Sequence, residues 1–147
     1  MTQAAAQTVT DQPSTGSLTQ ATLEPPTAEA HAEAIALARL AALAADAKKA
    51  TDVVALDLAS VSDVCEAIVA ATAANARLAD SVVDEVEERV REALGLSPLS
   101  IEGRADCNWV LIDYGSVIVH LFTPEARDFY RIERLWGDAP RIELGLE

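Results

Sequence analysis

The sequence predicts an α/β domain, a small mixed sheet flanked by helices, behind a disordered N-terminal tail. Three observations carry this. Segments rich in alanine, leucine and glutamate at helical spacing are interleaved with short β-branched runs. A glycine turn joins two strand-like segments near the C-terminus. Met1 to about Thr27 is rich in Gln, Thr, Ala, Ser and Pro, with only Val9, Leu18 and Leu23 as bulky apolar residues. A chain of 147 residues that is 50% hydrophobic is long enough for one domain with its own core. The organisation read from this is a tail over residues 1–27, a domain over 28–138 and a C-terminal tail over 139–147.

Taken in order, Ala28 to Ala50 carries Ile35, Ala38, Leu40 and Leu43 on one side of an amphipathic helix, with Lys48 and Lys49 near its carbonyl end. Asp52 to Leu58 (DVVALDL) reads as a buried strand. Cys65 to Thr72 is alanine-rich, yet its place between turn signals and a long helix predicts a strand. From Asn75 to Leu94, Leu78, Val82, Val86, Val90 and Ala93 recur at helical spacing, and Gly95 stops the helix. Pro98 separates this from an extended segment, Leu99 to Gly103.

Asn108 to Tyr114 and Val117 to Phe122 flank Gly115-Ser116, a two-residue loop with glycine where a type II′ turn requires it. That loop sets the register. Tyr114 faces Val117, Ile112 faces Val119 and Val110 faces Leu121, giving one apolar side that belongs to the core. The other side pairs Trp109 with Phe122, Leu111 with His120 and Asp113 with Ile118, and this mixed character points to a partner surface. Thr123-Pro124-Glu125 then starts a helix, with a hydroxyl cap and proline at the first position. Phe129, Ile132 and Trp136 lie along one side of it, and Gly137 ends it. Arg127, Arg131 and Arg134 form a basic stripe, read either as a solvated face paired with Glu125, Asp128 and Glu133 or as an anchor for an acidic or phosphate-bearing partner.

Composition excludes several functions. A net charge of -13 argues against a chain that wraps nucleic acid, which needs clustered Lys and Arg. No apolar run approaches the ~20 residues that span a bilayer. The first basic residue is Arg39, so the start lacks the positive region of a signal peptide, and a cytoplasmic protein is expected. The two cysteines, Cys65 and Cys107, form neither a disulfide framework nor, with His31 and His120, a metal-ligand spacing. No GxSxG, GxGxxG or P-loop occurs, so no catalytic residue, cofactor or metal is assigned. Asp57 and Asp113 end separate strands and could meet in a sheet, which leaves an acid/base or metal site as an alternative.

Glu102-Gly103, then WVLIDYGSVIVHLF over 109–122 and RDFYRIERLWGD over 127–138, closely resemble the ribosomal silencing factor family, also called Iojap-like proteins. The resemblance spans about Ala34 to Asp138. It departs at Glu66 to Ala70, where the family has bulkier residues. It implies a nucleotidyltransferase-like sheet without the catalytic carboxylates, and a binding protein rather than an enzyme. The implied function is translational repression: docking on ribosomal protein L-fourteen of the large ribosomal subunit and blocking the small subunit when nutrients are scarce. Trp109, Asp113, Tyr114, His120, Phe122, Arg127 and Arg131 are the partner-binding residues so expected. The resemblance also makes a homodimer of the free protein an expectation. The competing readings are a nucleotidyltransferase-like enzyme holding ATP or metal near Asp57 and Asp113, and a homodimeric scaffold.

Overall fold

The computed structural model describes residues 28–63, 65–106, 108–130, 134 and 137–146, without the side chains of 129 and 130. The expected tail over 1–27 lies outside them. The chain divides into two units, Met1–Ala30 and His31–Glu147, and of the first only Ala28–Ala30 is described, the opening residues of a helix. The elements are α1 (Ala28–Ala47), β1 (Thr51–Asp57), β2 (Ala67–Thr72), α2 (Ala76–Leu94), β3 (Ser100–Glu102), β4 (Trp109–Asp113), β5 (Val117–Phe122) and α3 (Pro124–Tyr130). The five strands form one sheet in the order β1-β2-β5-β4-β3. Among the described strands only β2 and β5 pair in parallel, so the sheet is mixed, as expected.

The alanine-rich second strand lies inside the sheet, between β1 and β5. All six residues of β2 are buried. Small side chains there are matched by α1, whose buried positions are Leu37 and six alanines: Ala34, Ala38, Ala41, Ala42, Ala44 and Ala45. The expected face of α1 is therefore corrected: Ala38 is buried, but Ile35, Leu40 and Leu43 are only half-buried. The buried alanines of α1 share one core with Ala67, Val69 and Ala71 of β2, and larger side chains such as Ile35 and Leu40 pack at its margin. The helix ends at Ala47, before the two lysines. Lys49 adopts φ +72°, Ala50 N donates to Ala45 O at 3.0 Å and Lys49 N to Asp46 O at 2.9 Å, a Schellman closure with lysine where glycine is usual.

The second helix follows expectation closely. Asn75 Oδ1 accepts from Leu78 N at 2.9 Å, Gly95 ends the helix at φ +71°, and Ala79, Val82, Val83, Val86 and Val90 are buried. With α1 it covers one face of the sheet, enclosing Val69, Ala71, Val110, Ile112, Val119 and Leu121 in a single core.

β1 is not the buried strand expected. It is an edge, exposed at Thr51 and Asp52 and buried only at Ala55 and Leu56, with an irregular register between Thr51 and Val54. The segment after residue 138, expected as a tail, lies along this edge: Asp57 N donates to Pro140 O and Ile142 N to Ala55 O, both at 2.8 Å, while Ala139 and Ile142 are buried. Arg39 Nε of α1 donates to Glu143 O at 3.0 Å. An open strand edge invites foreign pairing, and a short return segment of this kind covers it.

Candidate functional site

The hairpin positions the candidate surface. Its pairs are Trp109 with Phe122, Val110 with Leu121, Leu111 with His120, Ile112 with Val119 and Asp113 with Ile118, the expected register. Gly115 has φ +89°, Tyr114 N donates to Val117 O at 2.9 Å, and Asp113 Oδ1 accepts from Gly115 N at 2.7 Å. Upstream, the chain returns from β3 through Gly103. A Cβ there would lie 2.1 Å from the carbonyl oxygen of Trp109, and φ is +83°, so only glycine fits. Arg104 next to it reaches Asp80 and Asp84 of α2, each at 2.9 Å, which fixes the entry to β4.

On the face away from α1 and α2, three rings stack beside one another. Trp109 and Phe122 lie with centroids 5.2 Å apart, and the His120 and Phe122 rings are nearly parallel with centroids 6.1 Å apart. Trp109 Nε1 donates to His120 Nδ1 at 3.1 Å. Accepting there requires a neutral imidazole, and burial holds the His120 pKa down at about 4. The imidazole is 7% exposed and Phe122 is 1% exposed, so both support the surface from behind instead of forming it. Trp109 is half-buried against Ala70, Phe122 and Ala126. What this face offers outward is Trp109, Leu111, Asp113 and Ile118, all of intermediate exposure.

Other expected site residues fall elsewhere. Tyr114 packs into the core on the helix side, where burial raises its pKa to about 12 and its hydroxyl makes no hydrogen bond. Arg127 is not on a solvated stripe: it is 8% exposed and its Nη1 donates to Thr72 Oγ1 at 2.9 Å. The helix start is as expected, with Thr123 Oγ1 accepting from Ala126 N at 3.2 Å. Arg131, Ile132 and Trp136, and the side chain of Phe129, lie outside the described residues.

The two strand-end carboxylates do not meet. Asp57 and Asp113 belong to β1 and β4, three strand spacings apart or about 14 Å at the usual separation of sheet strands. Each has its own bond: Asp57 Oδ2 lies 3.2 Å from His31 Nε2, and Asp113 caps the hairpin turn. His31 Nδ1 lies 2.9 Å from Glu66 Oε1, and this bond, with Asp57 alongside, raises the His31 pKa. Sequence reasoning missed that clamp, because its three members are spread over α1, β1 and the β1–β2 connection. Among the described residues no group of three His, Cys, Asp or Glu side chains could hold a metal ion. None of the described helices is long and apolar enough to cross a membrane.

Comparison with known proteins converges on one family. A family profile described as "Ribosomal silencing factor during starvation" matches residues 31–147. The Ribosomal silencing factor RsfS of Bacillus subtilis is 34% identical over 106 residues, 72% of this chain and 89% of that one. The protein of the same name from Halalkalibacterium halodurans is 36% identical over 108 residues, 74% of this chain and 92% of the other. A crystal structure of a Chromobacterium violaceum protein superposes with a TM-score of 0.65 at 30% identity, covering 76% of this chain and 91% of its own.

Proposed function

Since this chain belongs to the ribosomal silencing factor family, we propose that it represses translation by binding the large ribosomal subunit through ribosomal protein L-fourteen and blocking the small subunit from joining. Its role is ribosome-associated silencing in the cytoplasm, exerted when nutrients are limiting. Occlusion needs position and affinity, and no bond is made or broken. A chain of net charge -13 suits a basic ribosomal protein as partner, since complementary charge raises on-rate and specificity.

The observation that supports this reading is the ring cluster. A tryptophan held by a buried imidazole is a preorganised aromatic anchor, the kind of side chain that dominates binding energies. In the proposed interface Trp109, Leu111 and Ile118 make apolar contact, Asp113 supplies an acid at the rim, and His120 and Phe122 keep the indole in place. Purified large subunits are mixed with the protein and small subunits are added. Saturating protein is expected to abolish joining, and undiminished joining overturns the reading. A folded Trp109→Ala protein is expected to lose about tenfold or more in affinity, the loss typical of a hot-spot anchor. Unchanged co-sedimentation would remove Trp109 from the interface while leaving repression itself intact. Light scattering on the free protein at rising concentration tests the homodimer, and a mass that stays at one chain overturns it.

A further inference from the structure

The parallel pair β2 and β5 marks a second place of interest. After Thr72 the chain turns to α2, on the helix-covered face, and after Phe122 it turns to α3, on the opposite face. Divergence of this kind opens a crevice beyond the carboxyl ends of the strands, which is where open α/β sheets take ligands. A cleft of about 460 Å³ lies there, lined by Thr51, Asp52, Thr72, Arg127, Asp128 and Arg134.

Two features make it more than a surface irregularity. Thr72, His120 and Arg127 are the buried polar side chains among the described residues, and two of the three line this cleft. The Arg127–Thr72 bond holds the guanidinium in one orientation. Asp52, also in the lining, has φ +50°, a left-handed conformation that costs a non-glycine residue energy, beside the register irregularity of β1. Strain and bulges of this kind cluster at ligand sites.

Among the described residues the lining charges are balanced, two guanidinium groups against two carboxylates. A polyanion would meet Asp52 and Asp128, and a divalent cation would meet Arg127 and Arg134. A molecule carrying both charges meets neither objection. We propose that the cleft binds a small zwitterion of the free α-amino acid class, its carboxylate held by a guanidinium fork and its ammonium group by an aspartate.

Thermal unfolding of the full chain tests this with L-alanine, L-leucine, L-glutamine and L-glutamate as separate probes, against acetate plus ethylamine and against inorganic phosphate. At least one amino acid at ten times its Kd is expected to raise Tm by about 3 °C or more, and the separated halves and phosphate to leave it unmoved. Asp52→Gly removes a carboxylate and relieves the backbone, so it is expected to raise the ligand-free Tm while abolishing the shift. Arg134→Ala, at an exposed position, keeps the fold and reduces the shift. The proposal is overturned if no amino acid moves Tm, if phosphate alone moves it equally, or if the shift survives in both variants. Ribosome binding enters none of these measurements, so the result stands apart from the silencing assay.

Discussion

On the face covered by α1 and α2, the central strands present Val69, Ala71, Val110, Ile112, Val119 and Leu121, none more than 1% exposed. On the other face the same strands present Ile68, Ala70, Trp109, Leu111, Ile118 and His120, and apolar burial breaks into two small clusters with an imidazole between them. Side chains alternate along a strand, so each strand contributes to both faces. The difference teaches a division of labour. Two long helices provide most of the burial from one side, which leaves the other side free to carry directional chemistry: an indole–imidazole bond, a carboxylate at a turn and half-exposed apolar groups.

Adjacent residues of one strand give the sharpest way to break that contrast. Ile112 is fully buried in the helix-covered core and Leu111 is half-buried on the opposite face. Ile112→Ala is expected to destabilise by about 3 to 4 kcal/mol, because it removes buried methyl groups and leaves a cavity that helices on one side and strands on the other cannot close. Leu111→Ala is expected to cost less than about 1.5 kcal/mol, since the truncated site opens to water. Chemical denaturation of both variants measures the two values. Equal costs would mean that the outer face is as much core as the inner one.

Next in size is the response to acid. His120 has a folded pKa of about 4 against an ordinary value of 6.5, so below pH 6.5 the unfolded chain takes up a proton that the folded chain refuses. Stability is therefore lost as pH falls from about 6.5 to about 4, by roughly 3 kcal/mol in total from this group. His31 acts in the opposite sense. Its folded pKa is raised by Glu66 and Asp57, so its contribution is complete below the ordinary histidine value and disappears as pH rises through the raised one. Urea midpoints across pH 4 to 8 for the wild type, His120→Asn and His31→Gln separate the two. Asparagine can accept from Trp109 without titrating, so His120→Asn is expected to lose markedly less stability toward acid. Parallel acid profiles for wild type and His120→Asn would end the claim that the outer face holds a neutral imidazole.

The same contrast explains what could be read in the sequence. The hairpin was fully legible, because Gly115 demands one turn type, the turn sets the register, and register assigns every side chain to a face. The identity of the aromatic face followed from that. Its depth did not: Phe122 and Trp109 occupy one paired position, yet one is buried and the other half-exposed, because Phe122 lies on the central strand β5 and Trp109 on β4, one strand nearer the sheet edge. The burial of Arg127 is hidden from local reading for the same reason. Its place in a basic stripe is local information, whereas its burial depends on Thr72, 55 residues away. In α1 alanine dominates every side of the helix, so periodicity favours the larger Ile35, Leu40 and Leu43, while the core that α1 shares with β2, α2 and the other strands takes the small positions. The edge pairing of residues 140–142 is likewise set by β1, far away along the chain.

The smallest effect asks whether the helix that makes the inner face is held by burial or by its own ends. Lys49 closes α1 in a left-handed conformation, φ +72°, where a side chain opposes the backbone and glycine does not. If packing of Leu37, Ala38, Ala41 and Ala45 holds the helix in place, a strained cap is tolerated and its relief adds to the total. Lys49→Gly is then expected to stabilise by about 0.5 to 1 kcal/mol, the strain relieved less the extra freedom of glycine in the unfolded chain, raising Tm by a few degrees. Lys49 is exposed, so little contact is lost with its stem. A fall in Tm would show that the lysine contributes through the carbonyl end of the helix more than its backbone costs, and that the cover over the inner face depends on its terminus as well as on its buried alanines.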